Sequence, residues 1–218
     1  MTDRRGVLFD MDGLLLDTER VSMETFVALV HPYGLTGPAA ESFFLTLIGS
    51  SGAQTERAIA ERLPDVDITQ LRKDWHAAFL EAIADDVPVM EGVRETIGAL
   101  AAAGRDMAVV TSTETHHARE ELRRAGLLDA FQDVIGGDAV SANKPDPAPY
   151  LKGASVLGRQ PENCVAFEDS DRGVTSAVRA GCTVWQVPDL RPADVPLPDL
   201  GQSLAKSLSE AVRGAGLL

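Results

Sequence analysis

The chain has 218 residues, enough for one substantial core or for a core domain that carries a smaller insertion. Its 44% hydrophobic and 24% charged residues are the composition of a folded globular protein and exclude a disordered one. A formal net charge of -13, with lysines and arginines scattered instead of forming a stripe, opposes binding to a phosphate backbone, so no nucleic acid partner is expected.

The apolar run Val7-Leu8-Phe9 ends abruptly in Asp10-Met11-Asp12-Gly13, the pattern of a buried strand that delivers carboxylates to its carboxyl end. On an extended segment Asp10 and Asp12 would point the same way, whereas a turn at Gly13 would bring one carboxylate and the next backbone carbonyl together. Either arrangement suits a hard cation. After Asp17-Thr18 the period turns helical, with Met23, Phe26, Val27 and Val30 on one face until Pro32-Tyr33-Gly34 stops it. Further helices are predicted over Ala53 to Leu63 and over Thr69 to Ala84, where Leu71, Trp75, Phe79 and Ile83 share a face. No strand is predicted between Thr18 and Asp85, which makes residues 18–85 a small all-helical module.

From Pro88 onward helices and strands alternate. A helix over Val93, Ile97, Leu100 and Ala101 ends at Gly104 and precedes the strand Met107 to Val110. A helix from Glu114 to Ala125 precedes Asp133-Val134-Ile135, and one with Asp146 as cap and Pro147 in its first turn precedes Val165-Ala166-Phe167. The helix from Asp171 to Ala180 stops at Gly181 and precedes the strand Thr183 to Val187. Pro188 to Pro198 reads as a loop, and a last helix is predicted over Ser203 to Arg213. Five short apolar strands separated by helices predict an α/β fold, a Rossmann-like parallel sheet sandwiched by helices. Residues 1–17 and 86–218 form this core, and the all-helical module is inserted after its first strand.

Ligands of such sheets gather at the carboxyl ends of the strands. Asp10 and Asp12 follow the first strand, Thr111 and Ser112 the second, Lys144 the third, and Glu168-Asp169 the fourth. Each has an ordinary explanation alone: a capped turn, an N-cap threonine, a solvated lysine, acids that begin a helix. Four separate stretches at one end of one sheet point to chemistry instead. The first is not a calcium loop, because Gly13 stands at the fourth position and Val21 at the twelfth. Gly49-Ser50-Ser51-Gly52 is followed by no Gly-Lys-Ser/Thr, which argues against a nucleotide-binding loop. His116 and His117 would point about 100° apart on a helix, and they read with His31 and His76 as surface or cap residues. Trp75 reads as core of the helical module.

Together, Phe9-Asp10-Met11-Asp12-Gly13, Val109-Val110-Thr111-Ser112, Lys144-Pro145-Asp146 and Phe167-Glu168-Asp169-Ser170 with Gly173 resemble, in order, the motifs of the haloacid dehalogenase superfamily. The longer forms, D-x-D-G-x-x-x-D-T-E at Asp10 to Glu19 and K-P-x-P at Lys144 to Pro147, resemble its β-phosphoglucomutase-like and phosphoglycolate phosphatase-like branch. The resemblance spans essentially the whole chain. It implies a Mg2+-dependent phosphatase that hydrolyses a small phosphorylated metabolite, a sugar phosphate or a phosphoglycolate-like ester, through an aspartyl-phosphate intermediate. On that resemblance Asp10 is the nucleophile and Asp12 the general acid and base. Mg2+ is held by Asp10, the backbone carbonyl of Asp12 and Asp169, with Glu168 beside or among the ligands. Lys144, Thr111 and Ser112 bind the phosphoryl group. Residues 18–85 resemble the caps that select substrate in this branch, which gives Glu19, Ser22, Ile48, Gly49 and Ser51 as substrate residues. Mutases of the branch carry Lys and Arg where this chain has Ile48 and Gly52, and His where it has Ser22, so hydrolysis is expected in preference to a phosphosugar mutase. Dehalogenases need no acid at the Asp12 position. A catalytically inactive, metabolite- or partner-binding member is the remaining alternative.

Cys164 and Cys182 have neither C-x-x-C spacing nor a histidine partner in sequence and read as buried free thiols, in keeping with a reducing cytosol. The residues ahead of Asp10 are too few and too polar for a signal-peptide core, and no run approaches the roughly 20 apolar residues that cross a bilayer. A cytoplasmic monomer with no membrane partner is expected.

Overall fold

The computed structural model describes residues 5–48, 52–192 and 194–218. All five predicted strands form: β1 (Gly6–Phe9), β2 (Met107–Val110), β3 (Asp133–Ile135), β4 (Cys164–Glu168) and β5 (Thr183–Gln186). A sixth, β6 (Ser203–Leu204), lies where the sequence predicts the start of the last helix. It pairs with the edge of β5 through Trp185 and Gln186, and the helix begins only at Leu208, capped by the Ser207 hydroxyl, which accepts from the Glu210 N–H. Two residues at an edge carry no periodicity, which is why composition did not reveal them. Among the described residues each of the six strands pairs with its neighbours in parallel, in the order β3-β2-β1-β4-β5-β6.

This order follows from the run pattern. Val7, Leu8 and Phe9, like Ala108, Val109 and Val110 and Val165, Ala166 and Phe167, are completely buried, as residues of a sheet covered on both faces must be. Phe9 stacks on Phe167 of the neighbouring strand at 5.3 Å between ring centroids. The chain runs outward from β1 through β2 to β3, then returns to the other side of β1 with β4. The order therefore reverses at β1 and β4, and the carboxyl ends of strands at such a reversal are where sheets of this kind bind ligands.

The chain divides into two units. The sheet, with α5 (Val93–Ala102), α6 (Thr115–Arg124), α7 (Ala148–Val156), α8 (Asp171–Ala180) and α9 (Leu208–Gly214), belongs to one; residues 18–86 and Leu190–Pro196 form the other. Helix α7 starts slightly later than predicted: Pro147 occupies the cap position, and the Asp146 carboxylate accepts from the Ala148 N–H at 2.9 Å. The described elements of the second unit are helical: α1 (Thr18–Val30), α2 (Gly37–Leu47), α3 (Gly52–Arg62) and α4 (Ile68–Ala82). Helix α2 was not predicted, because Gly37 and Pro38 look like a loop. Pro38 instead sits in the first turn, where its missing N–H costs nothing, and Ala40, Phe44 and Leu47 are the buried stripe. Trp75 of α4 lies 4.9 Å from Phe26 and 5.9 Å from Phe44 between ring centroids, so it is core of this unit. Its indole N–H donates to the Ser22 carbonyl at 2.9 Å.

Candidate active site

The turn after β1 separates the two aspartates. Gly13 takes a positive φ of 78°, open to glycine at no steric cost, and the Leu14, Leu15 and Leu16 N–H groups fold back on the Met11 carbonyl. The Asp10 carboxylate meets Lys144 Nζ at 2.5 Å. The Asp12 carboxylate accepts instead from the Thr111 hydroxyl at 3.2 Å and the Thr113 hydroxyl at 3.0 Å. Sequence reasoning missed Thr113, although its spacing of two from Thr111 on the same loop was available. Thr111 also accepts from the Thr113 N–H at 3.0 Å, which tightens that loop. Ser112, between them, is exposed.

Lys144 is 5% exposed, and its ammonium also donates to Glu168 Oε1 at 2.6 Å. Glu168 is completely buried. The Tyr150 hydroxyl of α7 donates to the same oxygen at 2.6 Å, and the Ser170 hydroxyl donates to Oε2 at 3.1 Å. Tyr150 was not picked out from the sequence, since a tyrosine on an apolar helix face reads as core, and Ser170 stood in the fourth motif without a role of its own. Gly173 belongs to the same arrangement, because a Cβ there would fall within 2.0 Å of the Glu168 carboxylate oxygens. Asp169 is held by its backbone: its carbonyl accepts from the Gln186 amide at 3.1 Å, and Gln186 is itself buried in β5.

One carboxylate oxygen from each of Asp10, Glu168 and Asp169 lies within 4.8 Å of the others. All three residues are buried. The Asp10 carboxyl is raised to about 7, chiefly by burial; Lys144 opposes the rise, and Glu168 and Asp12 add to it. Burial by itself would lower the Lys144 ammonium, but Asp10 and Glu168 outweigh it, so its pKa is raised and it keeps its charge. One ammonium does not balance three buried carboxylates. A second positive charge fits there, and an all-oxygen set is what a hard divalent ion such as Mg2+ takes.

Among the residues predicted from sequence, the structure brings together Asp10, Asp12, Thr111, Lys144, Glu168 and Asp169. Glu19 and Ser22 are half-buried on α1, and Ile48 packs on the core of the helical unit. Gly49 and Ser51 lie outside the described residues. His31, His76 and His116 are exposed, as read from the sequence, whereas His117 is half-buried. Cys164 and Cys182 are free and buried. Among the described residues no helix is long and apolar enough to cross a membrane.

Known proteins resemble this chain along most of its length. CbbY of Rhodobacter capsulatus is 30% identical over 94% of this chain and 98% of its own length. The fructose-1-phosphate phosphatase YqaB of Escherichia coli is 33% identical over 81% of this chain and 92% of its own. The crystal structure of a hydrolase from Deinococcus radiodurans with bound phosphate and sodium is 28% identical, covers 100% of this chain and 99% of that one, and superposes with a TM-score of 0.78. The model of the haloacid dehalogenase-like hydrolases matches residues 7–187, from β1 to just past β5, and this chain belongs to that family.

Proposed function

We propose that this hydrolase is a Mg2+-dependent phosphomonoesterase that acts on a small phosphorylated metabolite through an aspartyl phosphate on Asp10. The observation that carries the reading is the division of labour between the two aspartates after β1. Asp10 sits in the carboxylate cluster on Lys144, while Asp12 is held outside it by two hydroxyls. The fructose-1-phosphate phosphatase among the relatives supports the same class of substrate.

Attack on a phosphate monoester is opposed by its own negative charge, so a carboxylate nucleophile needs neutralising charge around the phosphoryl oxygens. Asp10, Asp169 and the backbone carbonyl of Asp12 would hold Mg2+, with Glu168 beside them; bound there, the ion would supply part of that charge and would keep Asp10 ionised. Lys144 supplies the rest. Its two carboxylate partners fix the ammonium, and it steadies one Asp10 oxygen while the other forms the bond to phosphorus. As that bond forms, the bond from phosphorus to the leaving oxygen breaks, and Asp12 gives that oxygen a proton. Asp12 then takes a proton from the water that attacks the aspartyl phosphate, which releases phosphate and regenerates Asp10. Thr111 and Thr113 hold Asp12 in place for both transfers, and Ser112 reaches the phosphoryl group. Glu19, Ser22, Ile48, Gly49 and Ser51 remain the candidates for contacts to the rest of the substrate.

The test is phosphate release from a panel of small phosphomonoesters by wild type, Asp10→Asn and Asp12→Asn, with Mg2+ and after chelation. Release is expected only from wild type with metal. Near wild-type turnover by either variant would show that the roles are misassigned. Isomerised sugar phosphate, formed with a bisphosphate primer in place of inorganic phosphate, would mean a mutase.

A further inference from the structure

Lys144 lies in residues 141–147, a stretch with neither helix nor strand to hold it. The flexible four-carbon stem of a lysine places its ammonium well only if the backbone beneath it is fixed. Helix α8 fixes it. Arg172, Ser176 and Arg179, spaced at i, i+4 and i+7 and hence on one face, each donate to a backbone carbonyl of three consecutive loop residues. Arg172 donates to the Lys144 carbonyl, Arg179 to the Pro145 carbonyl at 3.3 Å, and Ser176 to the Asp146 carbonyl at 2.5 Å. The same helix begins at the acidic pair: the Ser170 hydroxyl accepts from the Gly173 N–H at 3.1 Å and donates to Glu168.

We infer that the Arg172–Ser176–Arg179 face of α8 is a positioning device that sets Lys144 between Asp10 and Glu168, with Arg172 as its principal residue. The inference rests on the catalytic reading above, since it assigns the device to the phosphoryl-transfer step. Arg172 touches no reacting atom. Its planar guanidinium is anchored on the very carbonyl of Lys144, half-buried, whereas Arg179 is exposed and can be replaced by water. No feature of the sequence announces this role, because an arginine at the start of a helix reads as a surface residue.

The test compares wild type, Arg172→Ala, Arg172→Lys and Arg179→Ala by kcat and KM, and follows the Lys144 ammonium by 1H–15N NMR, with Lys144→Arg to assign the signal. A buried ammonium paired with two carboxylates exchanges slowly and is visible. Arg172→Ala is expected to lower kcat by roughly ten- to a hundredfold, the usual reach of residues that orient those doing the chemistry, with little change in KM, and to shift or broaden the Lys144 signal. Arg172→Lys should recover part of both, and Arg179→Ala should change kcat less than threefold. Thermal unfolding separates these effects from general destabilisation. If Arg172→Ala leaves the Lys144 signal where it was, the inference is overturned, whether or not kcat falls. If the signal moves but wild type releases no phosphate from any ester, the positioning stands and the phosphatase reading fails.

Discussion

Replacing Gly173 by alanine gives a test in which two physical rules predict opposite signs. Gly173 lies within α8, where alanine should stabilise by about 1 kcal/mol through helix propensity alone. Its φ is not positive, so no backbone strain opposes the change. The obstacle is space: the new Cβ would lie 1.8 Å from Glu168 Oε1, 1.9 Å from its Cδ and 2.0 Å from Oε2. A flexible carboxylate in solvent would simply turn away. Glu168 is completely buried and tied by Lys144, Tyr150 and Ser170, so moving it breaks those bonds. Disrupting a buried, paired charge costs about 3–5 kcal/mol. After the helix gain, Gly173→Ala is expected to destabilise by about 2–4 kcal/mol, a large share of the ~5–15 kcal/mol typical of a native protein. Urea unfolding of Gly173→Ala, Glu168→Ala and the double variant closes the cycle. In the Glu168→Ala background the added methyl meets no carboxylate, so its cost should vanish or change sign. Additive costs, or a Gly173→Ala as stable as wild type, would refute the steric argument.

Three further outcomes are expected. Glu121 on α6 is 7% exposed, and burial pushes its carboxyl up to about 7, with Asp12 adding and Arg124 opposing. The raised acid favours the folded state fully below its unfolded pKa of about 4.3, and that contribution is lost as pH rises through 7. Glu121→Gln should therefore gain on wild type by on the order of 1–3 kcal/mol between pH 5 and 8, whereas parallel stability curves would count against it. Burial pushes the Cys164 thiol up to about 11 and the Cys182 thiol up to about 12, so neither should react with a thiol reagent at pH 8 until the protein is unfolded; fast labelling of the native protein would contradict their burial. Tyr150→Phe removes the hydroxyl that donates to Glu168 at 2.6 Å and should cost about 1.5–3 kcal/mol in denaturant unfolding, as a hydrogen bond to a charged group does. A loss below about 0.5 kcal/mol would show that Lys144 and Ser170 suffice.

The sequence by itself determined the alternation of strand and helix in the core, because strands buried on both faces must be apolar throughout, and Val7 to Phe9, Met107 to Val110 and Val165 to Phe167 leave no other reading. It also marked Asp10, Asp12, Thr111, Lys144, Glu168 and Asp169, because polar residues at the ends of such runs stand out against their surroundings. It did not reveal α2, whose Gly37-Pro38 start imitates a loop, or β6, two residues held only by a neighbouring edge. The family resemblance assigned different tasks to the two aspartates, but nothing in the sequence showed which side chains hold them apart. Only tertiary structure turned Asp12 onto Thr111 and Thr113, put the Tyr150 hydroxyl on Glu168, and set a face of α8 against the carbonyls of residues 144–146. The physical reason is range. Periodicity records which face of an element is buried, whereas the partner of a buried polar atom comes from a distant part of the chain, and its chemistry leaves no pattern among its own sequence neighbours.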